Sequence, residues 1–228
     1  KGSLASQLAQ IFTQEILSKC THGIDLHTAA INRSNLPQIR ACMDEPGVRE
    51  MADAFSAPVK LNAKTLTGSL RDQARVLGIP SLLFEGGEAL RFNEPVSRSG
   101  LRGVRSVMRL LGMLRAGKSE HSENVAYMAK SSHWVRAPHS GIFQAQARLG
   151  ERVGKGQVLG TICDPLGQDV HEIHSRWSGI IIGLATLPLL NRGDASFHVA
   201  TFDDPQAVGE SVELFAEQLS DDSDPMSW

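Results

Sequence analysis

The sequence predicts an α/β fold in its first half and a smaller all-β unit in its second half. Up to residue 117, helix-like and strand-like segments alternate, as in a sheet with helices packed on it. Later, short apolar runs are interrupted by glycine every few residues, which is typical of all-β structure. We therefore divide the 228 residues into an α/β domain (1–117), a linker (118–132), a β domain (133–203) and an acidic C-terminal segment (204–228).

Composition narrows the range of functions. Hydrophobic residues make up 41% of the chain and charged residues 21%, as in globular proteins. A formal net charge of −2 gives no general attraction to nucleic acid or membranes, and no apolar run is long enough to span a bilayer. Cys20, Cys42 and Cys163 show no disulfide pattern, so we expect three buried thiols in a cytoplasmic protein.

Apolar spacing predicts the elements of the first half in order. A helix is expected over 3–19 with Ser3 as its N-cap, and further helices over 45–55, 67–78 and 101–117. "GIDLH" (23–27) indicates a short strand that ends at a polar turn. "IPSLLFEGG" (79–87) is a continuous apolar run, the pattern of a strand covered on both faces. "NLPQIRACM" gives a mixed signal.

A weak internal repeat marks the second half. "SGIFQAQARLGERVGKGQVLGTI" aligns with "SGIIIGLATLPLLNRGDASFHVA", so Gly141 corresponds to Gly179 and Gly156 to Gly193. We expect a small pseudo-symmetric β-sandwich whose glycines serve turns with positive φ or close backbone approaches. A short helix around 208–219 and a frayed tail follow.

The strongest candidates for catalytic or metal-binding residues lie at the ends of two predicted strands. Asp25 and His27 are two apart on a strand and therefore share a face, where the carboxylate could orient the imidazole. Glu85 ends an apolar strand before two glycines. If the two strands are parallel, His27 and Glu85 meet at the same edge of the sheet, where α/β proteins bind ligands. The ordinary alternatives are a hydrogen-bonded histidine and a loop glutamate.

Other candidate residues have weaker signals. Arg71 and Arg75, on the helix before the Glu85 strand, could clamp a substrate carboxylate, although a solvated helix face is the commoner explanation. His171 and His174 lack the spacing of a helical zinc motif, and we expect them to face opposite sides of a strand as ordinary histidines.

Three blocks together resemble the succinylglutamate desuccinylase/aspartoacylase family, which is related to zinc carboxypeptidases. They are "GSLASQLAQIF", "GIDLHTA" and "GSLRDQARVLGIPSLLFEGGE", in the family's order and spacing over residues 2–117. The resemblance implies a zinc-carboxypeptidase-like sheet with flanking helices. It also implies a zinc-dependent deacylase that hydrolyses the amide of a small N-acyl amino acid.

The resemblance also implies roles for individual residues. His27 becomes a zinc ligand, Asp25 its supporting carboxylate and Glu85 the general base. Arg75 becomes a substrate-binding residue because it lies ten residues before the glutamate, with Arg71 as the alternative. The family's remaining zinc ligands come from an H-x-x-E segment that the 228 residues do not contain. Either that segment precedes them in a longer protein, or the chain does not hold zinc as the family does.

Residues 133–203 resemble a biotinyl/lipoyl-type barrel-sandwich domain. Carrier domains of that type present a lysine at a hairpin tip, but the corresponding "DPLGQDV" (164–170) has none. We therefore expect no attached cofactor there, and a role as a lid, a rim of the site or an oligomerisation surface.

Two functions from different classes follow from these observations. The first is a zinc-dependent deacylase acting on a small molecule, without nucleic acid or membrane partners. The second is a non-catalytic binding or scaffold protein that keeps the fold without a complete metal site. A homo-oligomer is compatible with either.

Overall fold

The computed structural model of the chain describes residues 2–115 and 126–221. The helices are α1 (Leu4–Glu15), α2 (Val48–Phe55), α3 (Leu70–Val76), α4 (Glu94–Leu110) and α5 (Pro205–Asp221), with a short 3-10 helix at Leu17–Lys19. The strands are β1 (Gly23–His27), β2 (Arg33–Ala41), β3 (Val59–Asn62), β4 (Ser81–Glu88), β5 (Tyr127–Ala129), β6 (Ser131–Arg136), β7 (Gly141–Ala145), β8 (Arg152–Val153), β9 (Val158–Cys163), β10 (Val170–His174), β11 (Gly179–Ala185), β12 (Leu189–Leu190) and β13 (Ala195–Thr201).

One large mixed sheet runs through the molecule. Its strand order is β1-β4-β2-β11-β13-β6, with β3 and β8 pairing onto β2 and β11, and β5 onto β3. β1 and β4 are parallel, whereas β2 runs antiparallel to β4 and parallel to β3. The predicted α/β architecture of a sheet with flanking helices is therefore confirmed.

The helices α2 and α4 cover one face of this sheet. Ile39 of β2 and Leu82 and Phe84 of β4 project from this face, and they pack on α2 and α4 in one buried cluster. Gly103 of α4 lets the helices approach, because a Cβ there would lie 2.1 Å from the ring of Phe55. The opposite face is left for the polar residues of β1, β2 and β4.

A separate all-β barrel in residues 133–203 is not shown by the structure. The strands β10-β9-β7-β12 form a second, antiparallel sheet, and a buried cluster fills the space between it and the large sheet. The other layer of this sandwich, however, is made by β6, β11 and β13, which belong to the large sheet. The pairing of Gly183 with Asn35 joins the two halves of the chain directly through backbone hydrogen bonds.

The internal repeat has a structural counterpart. A Cβ at Gly141 would lie 2.2 Å from the carbonyl oxygen of Cys163, and one at Gly179 would lie 2.0 Å from that of Ala200. Both glycines thus begin a strand where the facing backbone leaves no room for a side chain. The matching glycines Gly156 and Gly193 have φ of 86° and 92° at turns, as the repeat predicts.

The predicted linker differs from the structure in the part that the structure describes. Residues 118–125 of the predicted linker (118–132) lie outside the described residues. Its end is not a loop, since β5 pairs in parallel with β3 and β6 begins at Ser131. The expected helix near 208–219 is present as α5, and its buried Val208 and Val212 pack on the large sheet.

The N-terminal helix forms as predicted but is shorter and more exposed than its apolar stripe suggests. Ser3 caps α1 by accepting a hydrogen bond from the backbone N–H of Ser6 at 3.2 Å, yet α1 has no buried residue. The expectation of three buried thiols is wrong for Cys20, which is exposed, while Cys42 and Cys163 are partly buried. Within residues 2–115 and 126–221, no helix has the length and apolar character needed to cross a membrane.

Candidate active site

His27 and Glu85 are direct neighbours in the large sheet. They form a register pair of the parallel strands β1 and β4. Parallel register partners project from the same face, so both side chains lie on the face opposite α2 and α4. The parallel pairing on which the sequence-based expectation depended is present, but β4 continues to Glu88, so Glu85 lies within its strand rather than at its end.

Asp25 holds the imidazole of His27. The Oδ1 atom of Asp25 lies 3.1 Å from Nε2 of His27, and the side chains are 25% and 47% exposed, respectively. When Nε2 is directed to the carboxylate, Nδ1 is the ring nitrogen left to bind a metal or a substrate. The i, i+2 spacing on β1 is what makes this contact possible.

Glu85 is a strand residue rather than a loop residue. Its Oε2 lies 2.8 Å from Nε of Arg40, and its side chain is 17% exposed. This contact is an ion pair that lacks the alignment of a hydrogen bond. The first glycine that follows serves packing, because a Cβ at Gly86 would lie 3.0 Å from Val96 and 3.3 Å from Pro37. The second, Gly87, has a positive φ of 71°.

The two candidate arginines have different surroundings. Arg75 is exposed and pairs with Asp72 at 2.9 Å, and the pKa of Asp72 is lowered by the N–H of Gly68 and then by Arg75. Arg71 is half-buried and its Nη1 points to the carbonyl oxygens of Arg40 and Ala63, each at 3.4 Å.

The electrostatic environment of Arg71 connects it to the other site residues. Burial lowers the pKa of Arg71 and the nearby Arg40 lowers it further, whereas Asp25 acts in the opposite direction. The guanidinium stays cationic, because the pKa of arginine is far above neutrality. Of the two arginines, Arg71 is thus the one that the structure brings to Asp25 and Arg40.

Buried polar side chains continue this face across the sheet. Gln38 is the register partner of Glu85 on β2 and is fully buried. His198 on β13 is 4% exposed, stacks on Trp134 with ring centroids 4.4 Å apart and has its pKa lowered to about 3, chiefly by burial and then by Arg40. Neither the amide of Gln38 nor Nδ1 of His198 has a hydrogen-bond partner among the described residues.

The site residues fit a metal only in part. His27 has the arrangement expected of a ligand, with a carboxylate on one ring nitrogen. In the described part of the chain, however, no group of three or more His, Cys, Asp or Glu side chains is placed to hold a metal ion. A catalytic zinc usually has three protein ligands, so further ligands would have to join His27.

His171 and His174 do not face opposite sides as predicted. Both line one open cavity of about 490 Å³ on the smaller sheet. The strict alternation fails because the pairing of β10 with β9 shifts register between Ile173 and His174. Each histidine contacts a neighbouring carboxylate, Asp169 and Glu172 respectively, at 3.1 Å. They lie on a different sheet from His27, and they form no metal-binding group with other described residues.

One family model matches the part of the chain that contains the candidate site. Residues 1–111 match the model of the succinylglutamate desuccinylase/aspartoacylase catalytic domain. This match contains β1, β2, α3 and β4, and therefore every candidate residue from Asp25 to Glu85. Residues 133–203 lie outside it, and no match supports a biotinyl/lipoyl-type domain there. The comparison with curated proteins finds no match.

Several solved structures share the fold of this chain. A succinylglutamate desuccinylase/aspartoacylase from Rhodobacter sphaeroides is 25% identical, with a TM-score of 0.77 over 90% of this chain and 65% of that one. The product-bound ectoine utilization protein EutE (DoeB) from Ruegeria pomeroyi is 20% identical, with a TM-score of 0.79 over 88% of this chain and 64% of that one. An aspartoacylase family protein from Mesorhizobium loti is 19% identical, with a TM-score of 0.71.

This chain covers only part of the length of the solved structures. The chain spans 65% and 64% of the length of the first two structures. The likeness extends beyond β4 into the second half of the chain, because it covers 88–90% of this sequence. Most of the residues after 133 are therefore part of the fold that these structures share.

Sequence reasoning missed Arg40, Gln38 and His198. Arg40 and Gln38 belong to "NLPQIRACM", where polar residues at 38 and 40 alternate with apolar residues at 39 and 41. This alternation could have predicted a strand with one polar face. His198 carries no such signal, since it reaches the site only through the pairing of β11 with both β2 and β13.

Proposed function

We propose that this protein belongs to the succinylglutamate desuccinylase/aspartoacylase family and is a zinc-dependent deacylase. Its substrate is a small N-acyl amino acid or a similar amide. The observation that carries the proposal is the pairing of His27 with Glu85 on one face of the sheet, within the segment that matches the family's catalytic domain. A potential metal ligand and a carboxylate side by side are what metal-assisted amide hydrolysis needs.

The proposed metal site uses His27 as one ligand, with Asp25 fixing the ring through Nε2. The remaining ligands would come from an H-x-x-E segment outside the 228 residues. Zinc, when bound, polarises the scissile carbonyl and lowers the pKa of water, which makes hydrolysis possible near neutral pH.

The chain's own residues supply the rest of the chemistry. Glu85 accepts the proton from the attacking water and delivers it to the leaving amine, as a general base and then a general acid. Arg71 binds the carboxylate of the amino acid, because it is half-buried and close to Asp25 and Arg40. Arg75 is the weaker candidate for this role, since it already forms an ion pair with Asp72 at the surface.

The second candidate is a non-catalytic binding protein with the same fold. One observation favours it, namely that the described residues offer no complete metal-binding group. Asp25, His27 and Glu85 share one face of the sheet, and Arg71 of α3 lies near Asp25. This grouping argues for the enzyme, because a scaffold has no need to keep these groups together. We further propose a cytoplasmic protein with a small-molecule partner and no nucleic acid.

Zinc analysis separates the two candidates. Plasma mass spectrometry on the full-length protein should find about one zinc per chain, and His27→Ala should lower this content strongly. His174→Ala is the matched control, because it removes a histidine of the smaller sheet and should leave the zinc content unchanged. Absence of zinc in the wild-type protein would support the scaffold instead.

A further inference from the structure

Glu85 has an ionic partner from the neighbouring strand that the proposed mechanism does not use. Arg40 lies on β2, two residues from Gln38, which is the register partner of Glu85. Nε of Arg40 is 2.8 Å from Oε2 of Glu85. Both atoms are shielded from solvent, so the attraction between them is weakly screened.

We propose that Arg40 is a positioning residue that holds the Glu85 carboxylate in its working orientation beside His27. This inference rests on the proposed function and identifies a further residue on which it depends. With Oε2 directed to Arg40, Oε1 is the oxygen available to exchange a proton with the water. A carboxylate without this contact could rotate about its side-chain torsions, and the proton would then have no fixed acceptor.

The surroundings of Arg40 suit it to orientation rather than to substrate binding. Its carbonyl oxygen accepts a long hydrogen bond from Arg71, and its side chain is 29% exposed. The strand backbone on both sides of it is fixed by pairing with β3 and β4. Arg40 therefore projects from a rigid element, which is what precise placement of a catalytic group requires.

The test compares Arg40→Met and Arg40→Lys with wild type in the zinc-loaded, full-length protein. We expect Arg40→Met to lower kcat roughly 10- to 100-fold with KM nearly unchanged, because a displaced base slows the proton transfer without weakening binding. Arg40→Lys should recover part of the loss, since a lysine restores the charge without the geometry of the guanidinium. If Arg40→Met does not fold, the Lys variant alone should still show a reduced kcat with the same KM.

A matched control separates positioning from stability. Lys60 is a buried strand cation that pairs with Asp53. Its register partner is Ile39, which packs against α2 and α4, so Lys60 lies on the face opposite Glu85. Lys60→Met should destabilise the protein without changing kcat. If Lys60→Met and Arg40→Met reduce kcat equally, Arg40 has only a structural role.

The position of Glu85 gives a readout independent of turnover. A crystal structure of Arg40→Met should show the carboxylate turned away from its wild-type position, and an unmoved carboxylate would overturn the inference. A rise in KM with unchanged kcat would also overturn it, because Arg40 would then contact substrate.

If wild type hydrolyses no N-acyl amino acid, the proposed function fails. If wild type is active and Arg40→Met has normal kcat, only this inference fails.

Discussion

The buried histidine His198 makes the stability of this protein depend on pH in a way that can be calculated. Its ring is 4% exposed, and its pKa is lowered from 6.5 to about 3 by burial and then by Arg40, His133 and Arg33. The folded protein therefore keeps His198 neutral down to acidic pH. In the unfolded chain the same ring binds a proton near its ordinary pKa of about 6.5.

The sign of the effect follows from this difference. Below pH 6.5 the unfolded chain binds the proton and the folded protein does not, so acid favours unfolding. The contribution of neutral His198 to the free energy of unfolding is fully present above pH 6.5, and it is lost progressively as the pH falls toward 3. Linkage with these two pKa values gives a loss of about 2 kcal/mol between pH 8 and pH 5, and about 3 kcal/mol by pH 4.

Urea unfolding of wild type and His198→Phe from pH 8 to pH 4 measures this contribution. Phenylalanine can stack on Trp134 as histidine does but cannot bind a proton. We expect the stability of the variant relative to wild type to rise by about 2 kcal/mol between pH 8 and pH 5. The other ionisable groups are common to both proteins, so the difference isolates His198. Parallel pH dependences, or an NMR titration of His198 with a midpoint near pH 6.5, would refute the reasoning.

Two further predictions concern the arginines and the helix packing. Arg71→Met should raise KM for an N-acyl amino acid roughly 10- to 100-fold, since a charged hydrogen-bonding partner of the substrate is lost. Arg75→Met, one turn along α3, is the control and should leave KM near the wild-type value; a larger effect at Arg75 would reverse the assignment. Gly103→Ala should lower the free energy of unfolding by about 1–3 kcal/mol through overpacking, because its Cβ would lie 2.1 Å from Phe55. Gly100→Ala, whose Cβ would lie 3.3 Å from Phe84, should cost much less in the same urea unfolding experiment, and equal losses would contradict the packing argument.

The sequence predicts His27 and Glu85 as site residues because a strand pattern depends only on residues that are close in the sequence. "GIDLH" and "IPSLLFEGG" show their strand character and their polar ends without any knowledge of the partner strand. Asp25 and His27 share a face through the period of two, and the parallel pairing of β1 with β4, which the sequence-based prediction took as a condition, is present in the structure. These features need only the neighbouring residues and the alternation of helices and strands.

The remaining features depend on long-range pairing. Nothing local indicates that β2 begins as early as Arg33 and pairs with β11, about 150 residues later. That pairing merges the second half with the large sheet, so the expected separate β domain is not shown. It also brings His198 toward Arg40, and it explains why a composition-based boundary at residue 117 does not separate two independent cores.

The central claim is tested most directly by Glu85→Gln in the zinc-loaded, full-length protein, assayed on a panel of N-acyl amino acids. Glutamine keeps the shape of the side chain but cannot accept the proton from water. We predict that wild type hydrolyses at least one member of the panel, and that the variant retains its zinc while losing turnover by at least about 100-fold. A variant that keeps both its zinc and its turnover would contradict the account.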